Sequence, residues 1–386
     1  MKGINSRGDK FISIVVPALN EELTVGRFIE WCQEGLARAG VQGEILIIDS
    51  SADNTAEIAQ QHGAVVIKTA KRGLGQAYID ALAYVKGDYV IMGDCDLTYD
   101  FRDIKAFVDK LDEGNDFVMG SRIRGHIQDG AMPPLHRYFG NPLTTFVLNI
   151  VYGSNFSDIH CGMRALTIDA FRKIDLESTS WEYASEMLLK AVKLRLQIAE
   201  VPVKFYKDVD GRLSHHKRSG WLSPWLAGWI NLRVVFVYAP DFFLKWASAL
   251  SLGVGYLLVL IVSFGPVTIW RICFSLHWLL LGIFLIVIGY SSFQMTILTR
   301  VVSGFTPERI GEYRKVFGYN RGMLMSVFLL LIGFPPLIQL INEYAVNNFH
   351  LRGVSHEAVL GLLAVTMAFQ TFTFTLLLNL AIRKKP

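Results

Sequence analysis

The sequence predicts an α/β, Rossmann-like soluble domain in its N-terminal half and a C-terminal α-helical transmembrane domain of four helices. Three observations carry this. Short apolar runs alternate with helix-periodic stretches over residues 11–121. Four long apolar runs follow residue 243, and charge falls away between the two halves. These place a soluble domain at 1–215, amphipathic interfacial helices at 216–242 and the four-helix membrane domain at 243–386.

Candidate strands are Phe11–Val16, Glu44–Ile48, Ala64–Lys68, Tyr89–Met92 and Phe117–Met119. Helix-periodic stretches lie between them, at Glu22–Ala39, Asn54–His62, Gly75–Val85 and Asp103–Leu111. Alternation of this kind predicts a mostly parallel sheet with helices on both faces. Ligands in such sheets bind beyond the carboxyl ends of the strands.

A membrane helix needs about 20 mostly apolar residues. Trp246–Phe264, Ile272–Met295, Met323–Ile341 and Ala358–Ile382 meet that requirement, and Pro335-Pro336 should kink or end the third. Arg300, Arg309, Arg314, Lys315 and Arg321 fall between spans two and three, and Arg383, Lys384 and Lys385 follow span four. The other loops carry only Arg271 and Arg352. The positive-inside rule then puts both termini and the soluble domain in the cytosol, in keeping with an N-terminal segment that lacks a signal-peptide core. Ahead of the first span, Trp221, Trp225 and Trp229 share one helical face with Leu232 and Phe236, the pattern of an interfacial helix.

Charge and cysteine content exclude several classes. The net charge is +4 and no long basic run points to nucleic acid. Cys32, Cys95, Cys161 and Cys273 match no zinc or redox spacing, so a disulfide framework is not expected.

Polar residues punctuate three strand ends. The first ends in Pro17-Ala18-Leu19-Asn20-Glu21, the second in Asp49-Ser50-Ser51-Ala52-Asp53, the fourth in Gly93-Asp94-Cys95-Asp96. One rim thus gathers Glu21, Asp49, Asp53, Asp94 and Asp96. Such a rim repels bare phosphate. It holds a diphosphate through a cation, or uses its acids to bind sugar and base N–H or O–H groups. Mg²⁺ and Mn²⁺ favour carboxylate plus phosphate oxygens, which makes Asp94-x-Asp96 a candidate metal clamp. Lys71-Arg72-Gly73-Leu74-Gly75 follows the third strand but holds Tyr78 where a dinucleotide fingerprint needs a third glycine. It reads either as a tight turn opening a helix or as a segment that sets Lys71 or Arg72 near a phosphate.

In this order, several segments carry a resemblance. They are Val16-Pro17-Ala18-Leu19-Asn20-Glu21, the Asp49…Asp53-Asn54-Thr55 turn, Arg72-Gly73-x-Gly75, Asp94-x-Asp96, Gly120-Ser121-Arg122, Ser157-Asp158-x-x-Cys161-Gly162-Met163-Arg164-Ala165 and Glu200-Val201-Pro202-Val203. Over about residues 11–240 the chain resembles family 2 glycosyltransferases, in particular polyprenyl-phosphate glycosyltransferases similar to dolichol-phosphate mannose and glucose synthases. The resemblance implies a GT-A fold, a nucleoside-diphosphate sugar donor, a polyprenyl phosphate acceptor, Mg²⁺ or Mn²⁺, and inversion at the anomeric carbon. It implies Pro17, Asn20 and Glu21 near the nucleotide, Asp49 on the base, Asp94 near the donor and Asp96 on the metal. Arg122 and Arg137 would hold the lipid phosphate. The chain departs from the pattern at Ser50-Ser51, where Asp-Gly is common, and at His160 before Cys161.

Asp158 and Glu186 are acid–base or orienting candidates. Arg122, Arg124, Arg137 and Arg164 are the cationic candidates for the acceptor, with Arg122 and Arg137 favoured. Arg137 precedes Phe139–Tyr152, an apolar stretch too short to span, which suits either the interface beside the lipid or a core helix. UDP-glucose is the favoured donor and GDP-mannose the alternative. A processive synthase would resemble its class in Gln-x-x-Arg-Trp, and the chain holds no Arg-Trp. A non-enzymatic membrane scaffold would be expected to lack the acidic rim. The four spans leave room for lipid positioning or a homo-oligomer.

Overall fold

A computed structural model describes residues 10–209, 211, 233, 236–237, 239–263, 265–303, 307–350 and 355–383. The chain divides into two compact units, Met1–Tyr238 and Ala239–Pro386.

The first unit is built on a seven-stranded sheet of order β3-β2-β1-β4-β6-β5-β7. Its strands are β1 (Phe11–Ala18), β2 (Gln42–Asp49), β3 (Val65–Lys68), β4 (Tyr89–Met92), β5 (Phe117–Ile127), β6 (Arg164–Thr167) and β7 (Ile198–Phe205). The helices are α1 (Val25–Ala39), α2 (Thr55–Gln61), α3 (Leu74–Ala81), α4 (Lys105–Asp112), α5 (Asn141–Tyr152), α6 (Ile168–Ile174) and α7 (Tyr183–Lys193). Strand β1 is parallel to β2 and β4, and Ile12, Ile14, Val15 and Val16 are fully buried. A continuous apolar run suits a central strand covered on both faces. Phe28, Ile29 and Cys32 of α1 close one side of the same core, with Phe101 and Phe107.

The sheet is parallel except at β6, which lies antiparallel between β4 and β5. Strand β5 extends well beyond the expected Phe117–Met119. Its outer half, through Ile127, pairs with β7 after an irregularity between Ser121 and His126. That half is polar and exposed, so no apolar run announced it.

The second unit holds four long apolar helices: α8 (Pro240–Val262), α9 (Leu276–Ser303), α11 (Tyr319–Val346) and α12 (His356–Arg383). A short helix, α10 (Pro307–Phe317), lies between α9 and α11. Close approach of helices is set by small residues. A side chain built on Gly255 would meet the Gly282 carbonyl at 2.8 Å, and one on Gly333 the Gly361 carbonyl at 2.7 Å.

Two expectations are corrected here. Ile272–Phe274 is not the start of a span but β9 of an antiparallel hairpin with β8 (Val267–Ile269), and the helix begins at Leu276. A short apolar run has the same composition in a strand as in a helix, so periodicity cannot separate them. Of the two outcomes expected at Pro335-Pro336, a kink or an end to the third span, the end does not occur, since α11 runs through both prolines. Backbone groups freed by proline in a membrane helix are satisfied by local adjustment and neighbouring helices. The expected interfacial face at Trp221, Trp225, Trp229 and Leu232 lies outside the described residues; Phe236 is described and exposed.

Candidate active site

The parallel register brings the acidic strand ends to one edge. Ala18 of β1 pairs with Asp49 of β2, Asp49 with Lys68 of β3, and Val15 with Met92 of β4. The loops beyond them carry Asn20, Glu21, Asp49, Asp53, Asp94 and Asp96, as the topology requires.

The loops after β1 and β2 are stitched together. The Asn20 amide donates to Ser51 Oγ at 2.7 Å and Asn20 Oδ1 accepts from the Ala52 amide at 3.0 Å. The Glu21 amide donates to Thr55 Oγ1 at 2.8 Å, and its Oε2 accepts from Thr24 Oγ1 at 3.1 Å. Asp49, 2% exposed, accepts from the Ser51 amide. Asp53, two residues ahead of Thr55, accepts from Thr55 N and Oγ1, and its second oxygen faces the Glu22 amide at 3.4 Å. Asp53 therefore braces the loop. Pro17 sits in β1 opposite Ile48.

Asp94 and Asp96 follow the buried β4, and both are half-buried. Asp96 Oδ1 accepts from the Thr98 amide at 3.0 Å and Thr98 Oγ1 at 2.5 Å, which fixes its carboxylate plane. Leu97 between them adopts a left-handed backbone, φ 63°, and Asn20 across the rim has φ 57°. A left-handed leucine costs about 1–2 kcal/mol, and such strain collects at functional loops. Asp94 lies against Gly162: a Cβ there would stand 3.0 Å from Asp94 Oδ2. Burial first, and the Asp94 carboxylate second, push the Tyr183 phenol up to about 12. Tyr78, whose ring centroid is 4.9 Å from that of Tyr183, donates to the Gly93 carbonyl at 2.9 Å. Tyr78, Tyr183 and Tyr99 thus wall in Asp94, and none was singled out from sequence. The one signal available was Tyr78 in the glycine segment's third position.

The cationic expectations change most. Arg122 does not offer its fork to a ligand. Its Nε and Nη2 donate to the two oxygens of Asp158 at 2.7 and 2.8 Å, and its amide adds a third bond at 3.0 Å. The pair is buried, Asp158 at 1% exposure. Despite burial, Arg122 holds Asp158 below the usual carboxylate range, so Asp158 is a poor proton acceptor. Arg164, also fully buried, donates to the carbonyls of Cys161, Ala184 and Ile159. Arg124 pairs with Glu200 at 3.1 Å. Arg122 and Arg164 are committed to the wall by geometry that sequence spacing could not reveal, whereas the Arg124 side chain stays exposed beyond its ion pair. Among the described residues Arg137 makes no ion pair; its guanidinium lies 5.4 Å from the Tyr138 ring.

Glu186 is likewise engaged by its own surroundings. Its oxygens accept from the Glu177 and Ser178 amides at 2.9 and 2.7 Å and pair with Lys190 at 2.6 Å. These bonds hold its pKa below the ordinary value against burial. Arg72 is exposed and pairs with Asp80 at 2.7 Å. The glycines beside it serve packing. A Cβ on Gly73 would strike the Thr179 carbonyl at 2.2 Å, and one on Gly75 the Ser178 carbonyl at 2.1 Å, so the segment lies tight against the loop that Glu186 holds.

One loop, 157–163, joins the rim to α5. Gly162 stands where an added Cβ would come within 3.0 Å of Asp94 Oδ2, while His160 Nε2, two residues earlier, bonds Thr144 Oγ1 of α5 at 2.8 Å. Helix α5 and the π-helical turn His136–Gly140 before it expose Tyr138, Phe139, Leu143, Phe146 and Ile150. A contiguous apolar face on a polar domain marks an interaction surface. Burial, with Arg122 and Arg164 nearby, pulls the His160 imidazole down to about 4 from 6.5. A depressed histidine leaves the unfolded chain holding more protons between those values. Stability tied to His160 is therefore complete above pH 6.5 and lost as pH falls toward 4. The melting temperature of purified protein should drop over that window, and His160→Gln should flatten the profile; an unchanged slope in the variant would contradict the assignment.

Comparisons with known proteins define the class. Residues 13–175 match the family model for glycosyl transferase family 2, and residues 296–381 match the family 2 C-terminal transmembrane region. The low-salt glycan biosynthesis hexosyltransferase Agl6 of Haloferax volcanii is 33% identical over 366 residues, spanning 93% of this chain and 86% of that protein. The dolichyl-phosphate hexose transferase of the same organism is 30% identical over 198 residues, 50% of this chain and 82% of that one. A glucosyl-3-phosphoglycerate synthase from Mycobacterium tuberculosis, solved with Mn²⁺, UDP and glucosyl-3-phosphoglycerate, is distantly similar, at TM-score 0.46 and 22% identity over 60% of this chain and 81% of that one. The chain belongs to the family 2 glycosyltransferases: it is a membrane protein with a GT-A catalytic domain and a C-terminal helical transmembrane region.

Proposed function

We propose that the protein transfers a hexose, with inversion, from a nucleoside-diphosphate sugar to a polyprenyl phosphate, at the cytosolic face of the membrane. UDP-glucose is the favoured donor and GDP-mannose the alternative. One observation carries the reading: in the 157–163 loop Gly162 packs close beside the donor-side carboxylate Asp94, and His160, two residues earlier, bonds Thr144 of the apolar helix α5. A polar donor and a greasy acceptor call for such a junction. The hexosyltransferase and dolichyl-phosphate relatives point the same way.

The chemistry asks little of a base. A phosphate monoester has a second pKa of about 6, so the acceptor oxygen is largely anionic at neutral pH. That fits a site whose buried acids, Asp158 and Glu186, are held ionised as braces. The work left to the protein is positioning and charge control. Asp49 and the Asn20–Glu21 loop seat the nucleotide, and Arg137 meets the acceptor phosphate beside the exposed face of α5. Arg suits that task by its bidentate fork.

Among the described residues no three His, Cys, Asp or Glu side chains converge on a metal position. Mg²⁺ commonly takes one or two carboxylates plus phosphate oxygens, so a pair of carboxylates at the strand end is enough for an ion bound jointly with substrate. Asp96, with Asp94, would supply the hard oxygens. The ion, when bound, neutralises the leaving diphosphate.

A nucleotide-release assay over a panel of donors tests the reading. Release should require both one donor and polyprenyl phosphate, and should stop with EDTA. Release that is indifferent to the lipid would contradict it. Arg137→Ala should raise KM for polyprenyl phosphate about tenfold, the effect of one lost charge-assisted hydrogen bond, and leave KM for the donor unchanged. A matching rise in donor KM would remove Arg137 from the acceptor side.

A further inference from the structure

The β8–β9 hairpin that joins α8 to α9 is amphipathic. Val267 of β8 pairs with Phe274 of β9, and Ile272 lies two residues before Phe274 on the same strand. Side chains alternate across a strand, so Val267, Ile272 and Phe274 share one face and the Thr268–Cys273 pair takes the other. The protein leaves much of the apolar face uncovered: Val267 is 39% and Ile272 52% exposed. Phe274 stacks at 5.0 Å on Trp278, at the start of α9. At the tip, Trp270 is 97% exposed and held at φ 56°, a left-handed position where two-residue hairpin loops ordinarily place glycine or asparagine. Arg271 beside it is also exposed.

We infer that this hairpin lies flat on the bilayer, its apolar face set into the headgroup layer and Trp270 anchoring its tip. Lipid is the fitting occupant on three counts. The hairpin is continuous with two membrane spans, so it emerges at the surface they cross. A lone two-stranded hairpin is marginal in water, and its apolar face needs cover. Tryptophan and arginine both suit the headgroup layer: the indole buries its ring there and keeps its N–H wet, while the guanidinium fork meets lipid phosphate. The backbone limits the depth. The sheet has two strands, so each keeps an outer edge of unpaired N–H and C=O groups. Hydrocarbon would leave those groups unsatisfied, whereas the hydrated headgroup layer satisfies them.

The test uses the full-length protein reconstituted in phosphatidylcholine vesicles. Cys32, Cys95 and Cys161 are buried and Cys273 is exposed, so an NBD maleimide goes to the polar face of the wild-type hairpin. In the variant carrying I272C and C273S it goes to the apolar face instead. Phosphatidylcholine spin-labelled high on its acyl chain should quench the probe at 272 about threefold more strongly than the probe at 273, because only that face reaches the headgroup–acyl boundary. Brominated phosphatidylcholine should quench the tryptophan emission that W270F removes. Equal quenching at the two positions would overturn the proposal. A blue-shifted but unquenched probe at 272 would also overturn it, by placing protein rather than lipid against the face. Should the double variant melt early, the tryptophan difference decides, and emission indifferent to the brominated lipid overturns it.

Discussion

Asp96→Asn is expected to lower turnover by about 10³-fold, the scale of losing one preorganised charge partner of a transition state, while leaving the protein folded. The two halves of that expectation come from the same geometry. Asp96 Oδ1 accepts from Thr98 N and Oγ1. Asparagine keeps an oxygen at that position, so the loop after β4 keeps its turn. What it loses is the charge that would bind a divalent cation beside the donor diphosphate. Steady-state kinetics with saturating Mn²⁺, together with a melting curve, check both. Activity within tenfold of wild type would remove Asp96 from the metal. Collapse of the fold would show that the carboxylate is structural instead.

The second large effect is on stability. Asp158→Ala should lower the melting temperature by roughly 10 °C, because it strands a buried guanidinium. Removing one partner of a buried ion pair costs about 3–5 kcal/mol, and 1 kcal/mol moves the midpoint of a domain this size by about 2–4 °C. Pairing Asp158→Leu with Arg122→Met should restore much of that loss, since apolar replacement of a buried pair is often neutral or stabilising. The double variant should still be inactive, because loop 157–163 would no longer be fixed to β5 between Asp94 and α5. An active double variant would show that the pair only fills space.

How much of this was legible depended on where the information lay. Strands β1, β2 and β4 are apolar because both faces are covered, so their runs stood out and their acidic ends fell on one edge. Strand β6 is four residues and begins with a buried arginine, and β7 contains Pro202, so neither resembled a core strand. Asp94 and Asp96 were readable because a strand end places them locally. The Arg122–Asp158 pair was not, because 36 residues separate its members and only the fold brings them together. Glu186 differs: its ion pair with Lys190 is at helix spacing, and only the fold of the loop before its own helix brings the amides of 177 and 178 to it. Sequence marked these groups as chemically capable, and the three-dimensional contacts show them engaged in holding the wall. Hydropathy found all four spans but misread 272–274, where a hairpin and a helix start share one composition.

The most direct measurement of the central claim is transfer itself. Purified protein is given a radiolabelled nucleoside-diphosphate hexose, polyprenyl phosphate and Mn²⁺, and the extracted lipid is examined by thin-layer chromatography and NMR. The predicted result is a labelled hexosyl phosphoryl polyprenol, with a β linkage from an α-linked donor. Absence of labelled lipid with every donor tested, or an α-linked product, would contradict the account.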